Sequence, residues 1–394
     1  MQIYRTKDNE SIYDIAREYG VSPMKIAEDN ELEIRGRLPL GREVLVLTPS
    51  RTYNVKSTDT LDMIAKRFKT SKEALLRLNP ELRGREKIYS GQLLTVKECT
   101  PSMGMISTNG YLYSGTPRDR LIFLMPYLSY VTVCSAVYRD GKIRNLFPVE
   151  DTVSFIRSNG RAPMLRIYLY ELPKAELEGD FANAVVIIAK SGGFSGISLS
   201  SLNSLSKDRD RLCGFVLNLR RVLIENDLLL FAEGDVERDC SYVDYADAGI
   251  LTYDKIHRKD VPSFNDGERA CLNRYAEEYE SSRAFVEIPS FAYSGGQYME
   301  KGEAVRIIDR KRADTVFDGE KKLLYASYGR HKRRDIVLES LENTKAKLDL
   351  VSELGYMGVS LDIGRTCISD LMAVASAFDI VGSPIMTPKI NQDM

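Results

Sequence analysis

Four carboxylates, Glu233, Asp254, Glu287 and Asp362, fall at the ends of apolar, strand-like runs in the C-terminal three-quarters of the chain. Carboxylates gathered at strand ends can serve as an acid and base pair, provided that they face one cleft and one of them holds a proton. Other reactive types are sparse. The two histidines, His257 and His331, stand apart from each other and from any further ligand type. The six cysteines lie at least 27 residues apart, without a CxxC pair and mostly inside apolar runs, so they read as reduced core residues. No metal site and no cofactor is expected.

The elements that must position those carboxylates follow from length and pattern. At 394 residues the chain is long enough for several domains. Hydrophobic residues make up 43% and charged residues 28%, the balance of an ordinary globular protein with sizeable cores. The formal net charge of −1 supplies no global field for a polyphosphate backbone, so nucleic acid is not an expected partner. The N-terminus carries charges where a signal peptide needs an apolar stretch, and no segment has the apolar length of a membrane span. Synthesis in the cytoplasm without a signal peptide is the expectation.

Beyond residue 99, apolar runs alternate with amphipathic stretches, as in βα units around a parallel sheet. Eight strands are predicted, near Gly110–Tyr113, Tyr130–Cys134, Met164–Tyr168, Gly196–Leu199, Leu228–Ala232, Ala248–Tyr253, Ala284–Pro289 and Gly358–Leu361. That count predicts an α/β fold, a (β/α)8 TIM barrel over residues 99–394 with its site at the C-terminal strand ends.

The first hundred residues repeat themselves. Tyr4 pairs with Tyr53, Ile15 with Ile64, Ala16 with Ala65, Tyr19 with Phe68 and Asn30 with Asn79, always at an offset of 49. Each unit reads as strand, two short helices and strand, with Ser11, Ser22, Thr60 and Ser71 as helix starts. The stretches Asp59-Thr60-Leu61-Asp62-Met63-Ile64-Ala65, Leu78-Asn79-Pro80 and Ser90-Gly91-Gln92 resemble a LysM domain, and residues 1–49 and 50–98 are accordingly expected to be two small βααβ domains of that family. The resemblance implies binding of glycans that contain N-acetylglucosamine, such as peptidoglycan or chitin, by the loop after the first strand and the loop before the last. The implied contacts are Asp8, Asn9, Ser11 and Asn30 in copy one and Asp59, Thr60, Asn79 and Pro80 in copy two. Small polar side chains and exposed amides suit a neutral acetamido sugar. The sequence departs from the family at Thr58, where glycine is usual, and copy one reads Asp8-Asn9-Glu10-Ser11.

The barrel region resembles glycoside hydrolase family 18, in particular spore-associated members with LysM repeats ahead of the barrel. The matching stretches include Asn109-Gly110-Tyr111-Leu112-Tyr113, Gly193-Phe194-Ser195-Gly196-Ile197, Leu251-Thr252-Tyr253-Asp254 and Glu353-Leu354-Gly355-Tyr356. The family's chemistry uses a strand-four signature, D-G-x-D-x-D-x-E, in which the glutamate protonates the leaving oxygen and the last aspartate orients the substrate acetamide. Aligned on Gly196, this chain has Ser195, Ser198 and Ser200 at the aspartate positions and Leu202 at the acid. Leucine cannot donate a proton. The tryptophan floor usual on strand eight is replaced by Asp362, and the chain contains no tryptophan. The resemblance also places Tyr253 and Asp254 in the substrate-contacting motif of strand six, and the basic runs Arg310-Lys311-Arg312 and Arg330–Arg334 in the family's insertion after strand seven, where they suit a solvated face or an anionic wall polymer.

Three readings stay open. The leading one is a non-catalytic binder of N-acetylglucosamine-containing polysaccharide with the barrel as scaffold. The second is a peptidoglycan hydrolase with displaced acids, Glu233, Asp254 or Asp362. The third is a structural spore-coat or cell-wall protein whose partners are other proteins of those layers.

Overall fold

The computed structural model describes residues 1–205, 208–253, 261, 264–288, 291–329 and 333–382. The first repeat is an antiparallel strand pair, Gln2–Arg5 with Glu43–Val46, carrying helices Ile12–Tyr19 and Pro23–Asp29. The second follows the same plan with Pro49–Asn54, Leu93–Glu98 and helices Leu61–Phe68 and Lys72–Leu78. Positions related by the 49-residue offset pack alike: Tyr4 meets Tyr19 edge-on at 5.7 Å, and Tyr53 meets Phe68 at 5.3 Å. Ser11 starts its helix with a capping box to Asp14, and Thr60 and Ser71 accept from the amides of Met63 and Ala74. Ser22 makes no such bond; Pro23, with its preset φ, begins that helix.

Eight parallel strands close into a barrel: β1 (Met105–Leu112), β2 (Tyr130–Arg139), β3 (Ala162–Leu169), β4 (Gly196–Ser200), β5 (Leu229–Asp235), β6 (Ala248–Thr252), β7 (Ala284–Glu287) and β8 (Gly358–Asp362). Each predicted strand overlaps one of these elements. Closure comes from β8 pairing with β1, Gly358 opposite Ser107 through Asp362 opposite Tyr111. Glycine is required at 358, because a Cβ there would stand 1.8 Å from the Ser107 carbonyl oxygen. The alternation is legible on β3, where Leu165, Ile167 and Leu169 bury outward among the helices while Met164 and Arg166 face inward. Tyr130, Phe231 and Phe285, with centroids 5.1 to 6.0 Å apart, plug the barrel interior.

Between β7 and β8 the chain inserts a five-stranded antiparallel sheet, Phe291–Ser294, Gln297–Glu300, Thr315–Asp318, Leu323–Tyr328 and Arg334–Glu339, with helix Lys301–Lys311 packed on one face. The fully buried Lys347 ties this insertion to the barrel, 2.6 Å from Glu339 and 3.0 Å from Glu268. No described helix is long and apolar enough to cross a membrane. All six cysteines are unbridged; Cys240 and Cys367 are buried, but Cys99 is exposed, contrary to its reading as a core residue.

Both repeats are seated on the barrel rather than tethered to it. Glu43 in the first repeat is buried and accepts from the Leu341 amide at 2.6 Å and from Arg5 at 3.0 Å, while the Arg5 guanidinium lies 3.5 Å over the Phe317 ring. Arg42 forks onto Asp309 at 2.8 and 3.3 Å. Gly41 comes so close to the insertion that a Cβ would be 2.1 Å from the Thr315 carbonyl oxygen. In the second repeat the buried Arg77 donates to the Pro126 carbonyl, and Tyr127 donates back to the Arg77 carbonyl. Replacing Glu43 by Ala leaves the Leu341 amide without its acceptor inside this contact. We expect it to lower stability by about 2 to 4 kcal/mol, read as a fall in the denaturation midpoint.

Candidate functional site

The loops implied in glycan contact divide into side chains that hold the repeat together and side chains that line open space. Asn30 and Asn79 are of the first kind. The Asn79 amide donates to Leu75 and Thr95 carbonyls at 2.7 and 2.8 Å, and its oxygen accepts from the Thr95 amide at 2.7 Å. Asn30 does the same with Ile26 and Leu45. Both are buried, and every polar atom of each amide is in use, so the pair is placed as a latch between second helix and closing strand rather than on a ligand face. Asp59 accepts from the Tyr53 hydroxyl at 2.7 Å and the Lys56 amide at 2.8 Å. Its counterpart in copy one is Glu10, which accepts from the Tyr4 hydroxyl at 2.8 Å and the Lys7 amide at 2.9 Å. Glu10 is the residue that the offset of 49 relates to Asp59. Ser11 and Thr60 are helix caps. Asp8 and Asn9 stand exposed, with the Asn9 backbone at φ 60° and its carbonyl accepting from Arg37.

What the structure brings together is the second loop of each repeat. A cleft of about 660 Å³ is lined by Glu31 and Leu32 from copy one, Pro80, Glu81 and Arg83 from copy two, and Arg120, Phe123 and Ile368 from the barrel. It therefore mixes apolar faces with carboxylates and guanidinium groups, in a volume within the range of ligand clefts. Gly84 allows the approach, since a Cβ there would lie 2.3 Å from the Ile122 carbonyl oxygen. Arg83, Phe123 and Ile368 carry no sequence signal, because the cleft exists only once the repeats are docked.

Beneath the junction of the repeats lie two buried acids. Asp29 sits 3.0 Å from Lys25, and Glu98 is 4.0 Å from the same ammonium. Burial pushes Asp29 up to about 6 and Glu98 up to about 7, with Lys25 only partly opposing the shift.

At the C-terminal mouth of the barrel, Arg166 on β3 forks onto Glu233 on β5, Nε to Oε1 at 2.6 Å and Nη2 to Oε2 at 2.8 Å. Because β4 lies between those strands, the pair passes in front of its inward side chains. Those are Ser198, opposite Arg166 in the ladder, and Ser200, opposite Tyr168; both are buried, and neither hydroxyl has a partner among the described residues. Burial disfavours the charge on Arg166, but Glu233 more than offsets this and holds the guanidinium pKa well above its ordinary value. Ser195 precedes β4 and lies at the opposite, N-terminal end, its amide bonded to Pro163. After Ser200 the backbone turns through Ser201 at φ 70°, and Leu202 is fully buried in the apolar layer around the barrel.

Of the three alternative acids, Glu233 and Asp362 are engaged by neighbouring groups. Glu233 gives both oxygens to Arg166. Asp362 accepts from the Gly364 amide at 3.0 Å and lies 3.6 Å from Arg365. Glu287 is buried on β7. Tyr113 and Cys134 complete the mouth; burial raises both, the thiol to about 12. Tyr253 is not there. On β6, Ile250 faces the barrel interior, which puts Leu251 and Tyr253 on the outer face, and Tyr253 is 5% exposed, packed 6.1 Å from Phe291 beside Lys347. The strand-six motif match does not fix which way that tyrosine faces. Asp254, His257 and His331 lie outside the described residues.

Comparisons with known proteins agree with this architecture. The LysM domain family model matches residues 4–46 and 53–97. An endolysin of Bacillus phage B103 is 49% identical over 47 residues, 12% of this chain and 18% of the endolysin's length. Among solved structures, the spore cortex-lytic enzyme SleL of Bacillus megaterium QM B1551 superposes with a TM-score of 0.75 at 18% identity, covering 97% of this chain and 99% of that one. A chitinase from Chromobacterium violaceum superposes with a TM-score of 0.60 at 18% identity, over 69% of this chain and 98% of its own. At these identities the likeness is one of fold.

Two outcomes test the site. Asn79→Ala should cost roughly 2 to 3 kcal/mol of stability in chemical denaturation, and unchanged stability would return Asn79 to the ligand-facing set. Since Asp29 and Glu98 have folded pKa values above their unfolded ones, their contribution is fully present below about pH 4 and lost as pH rises through about 6 to 7. The melting temperature should therefore fall between pH 5 and pH 8, and Glu98→Gln should flatten that fall. Two LysM domains thus stand on a (β/α)8 barrel whose fold is that of the spore cortex-lytic enzyme and the chitinase named above.

Proposed function

We propose that this chain binds an N-acetylglucosamine-containing glycan, peptidoglycan or a chitin-like polymer, through its LysM domains, and that the barrel is a non-catalytic binding and scaffold domain. The observation that carries the second half is the end of β4, where Ser198 and Ser200 stand in place of acids and Leu202 is buried in the core. General acid catalysis contributes about 10² to 10⁴ in rate, and a leucine contributes none of it. Glu233 and Asp362 do not readily substitute, because each is engaged by an arginine. The cleft between the second loops supports the first half, since one glycan strand laid along it would touch both repeats and the barrel together. Fold likeness to a spore cortex-lytic enzyme favours placement at the spore or the cell wall.

The purified protein should co-sediment with peptidoglycan and release no reducing ends from peptidoglycan or chitooligosaccharides. Release above blank that a Glu233→Gln, Asp362→Asn double variant abolishes would overturn the non-catalytic reading in favour of a hydrolase with displaced acids. Failure to co-sediment would overturn the glycan reading itself and leave a structural role among coat or wall proteins.

A further inference from the structure

A second cleft, of about 650 Å³, opens between the first LysM domain and the insertion. Arg35 and Arg37 approach it from the domain, and Arg306, Arg310 and Arg312 from the insertion helix and its end. Arg306 and Arg310, one helical turn apart, share the face of Lys301–Lys311 that lines the cleft. Among the described residues, Arg35, Arg306, Arg310 and Arg312 make no ion pair, whereas Asp309 in the same wall is committed to Arg42. Glu31 is partly engaged as well, accepting from the Ile368 amide at 3.4 Å and facing Arg120 at 3.9 Å. Glu33 and Glu303 are the remaining acids of the lining, Glu303 one turn before Arg306 on the same helix.

The cleft is continuous with the first LysM domain's own loops. Arg37 donates to the Asn9 carbonyl and pairs with Ser11 as an isolated bridge, and the Leu38 amide donates to the Glu10 carbonyl at 2.8 Å. A sugar held at Asp8–Ser11 therefore has this cleft directly beside it. The volume suits a short peptide. The lining suits one that carries both carboxylates and an ammonium group: guanidinium forks take carboxylates, while Glu33 and Glu303 offer acceptors to the ammonium.

We propose that this cleft is a subsite for the zwitterionic peptide stem attached to the sugars of peptidoglycan, so that the chain prefers stem-bearing glycan to the same glycan without peptide. The proposal rests on the glycan reading of the LysM domains given above. Its test is a calorimetric titration of the full chain with soluble, uncrosslinked peptidoglycan fragments and with the same fragments after amidase removal of their stems. The stem-bearing fragment should bind on the order of 5- to 10-fold tighter at low salt, with the advantage shrinking at high salt. An Arg306→Gln, Arg310→Gln double variant should lose that advantage while keeping its affinity for the stripped fragment. Equal affinities for the two fragments, or a preference that survives in the variant, would overturn the stem subsite while leaving glycan binding in place. Displacement of the stem-bearing fragment by poly(glycerol phosphate) would reassign the cleft to a phosphodiester polymer. No binding of either fragment would bring down both readings.

Discussion

The working surfaces of this molecule depend on buried charge at the seam between repeats and barrel. Glu43, Arg42 and Arg77 leave water on docking, and each finds its partner across the seam: the Leu341 amide, Asp309 and the Pro126 carbonyl. Desolvating such groups is costly, and the cost is offset only while every bond is made. The arrangement therefore favours one orientation of repeats on barrel over a range of them. Without that orientation neither cleft exists, because each takes one wall from a LysM domain and the other from the barrel or its insertion.

Within a repeat, the polar residues most suggestive of ligand contact turn out to perform structural work. Asn30 and Asn79 each join a helix end to a strand 15 or 16 residues further on. Asp59 and Glu10 each gather a tyrosine hydroxyl and a loop amide. These bonds hold in shape a domain with a core of only eight or nine fully buried apolar residues. The exposed surfaces of each repeat are shaped by these latches rather than formed by them.

Much of the fold is legible because it rests on local rules. The offset between the repeats needs only self-comparison, and the barrel strands show as apolar runs at regular intervals with period-two alternation. The site is less legible because facing and docking are long-range properties. Tyr253 was placed by its motif, yet the alternation running from Ile250 puts it outside the barrel. Arg166 escaped notice as one charge in an apolar run, although an arginine on the inward parity of a buried strand calls for a partner. The cleft residues Arg83, Phe123 and Ile368 come from three separate regions of sequence and share no pattern.

At the mouth of the barrel, the two serines of β4 and the arginine of β3 fit together. Carboxylates at 198 and 200 would stand under Glu233 in a space with little water, where like charges repel strongly. Serines at both positions remove that repulsion and leave room for the Arg166 side chain to cross β4 and fork onto Glu233. The pair balances its own charge, so the mouth of the barrel is occupied by an ion pair that needs no further group to neutralise it. Glutamate in place of Leu202 would meet the apolar layer around the barrel, since the chain turns away at Ser201 before reaching that position. An acid at position 198, 200 or 202 would therefore conflict with the fork, the serines or the turn at Ser201.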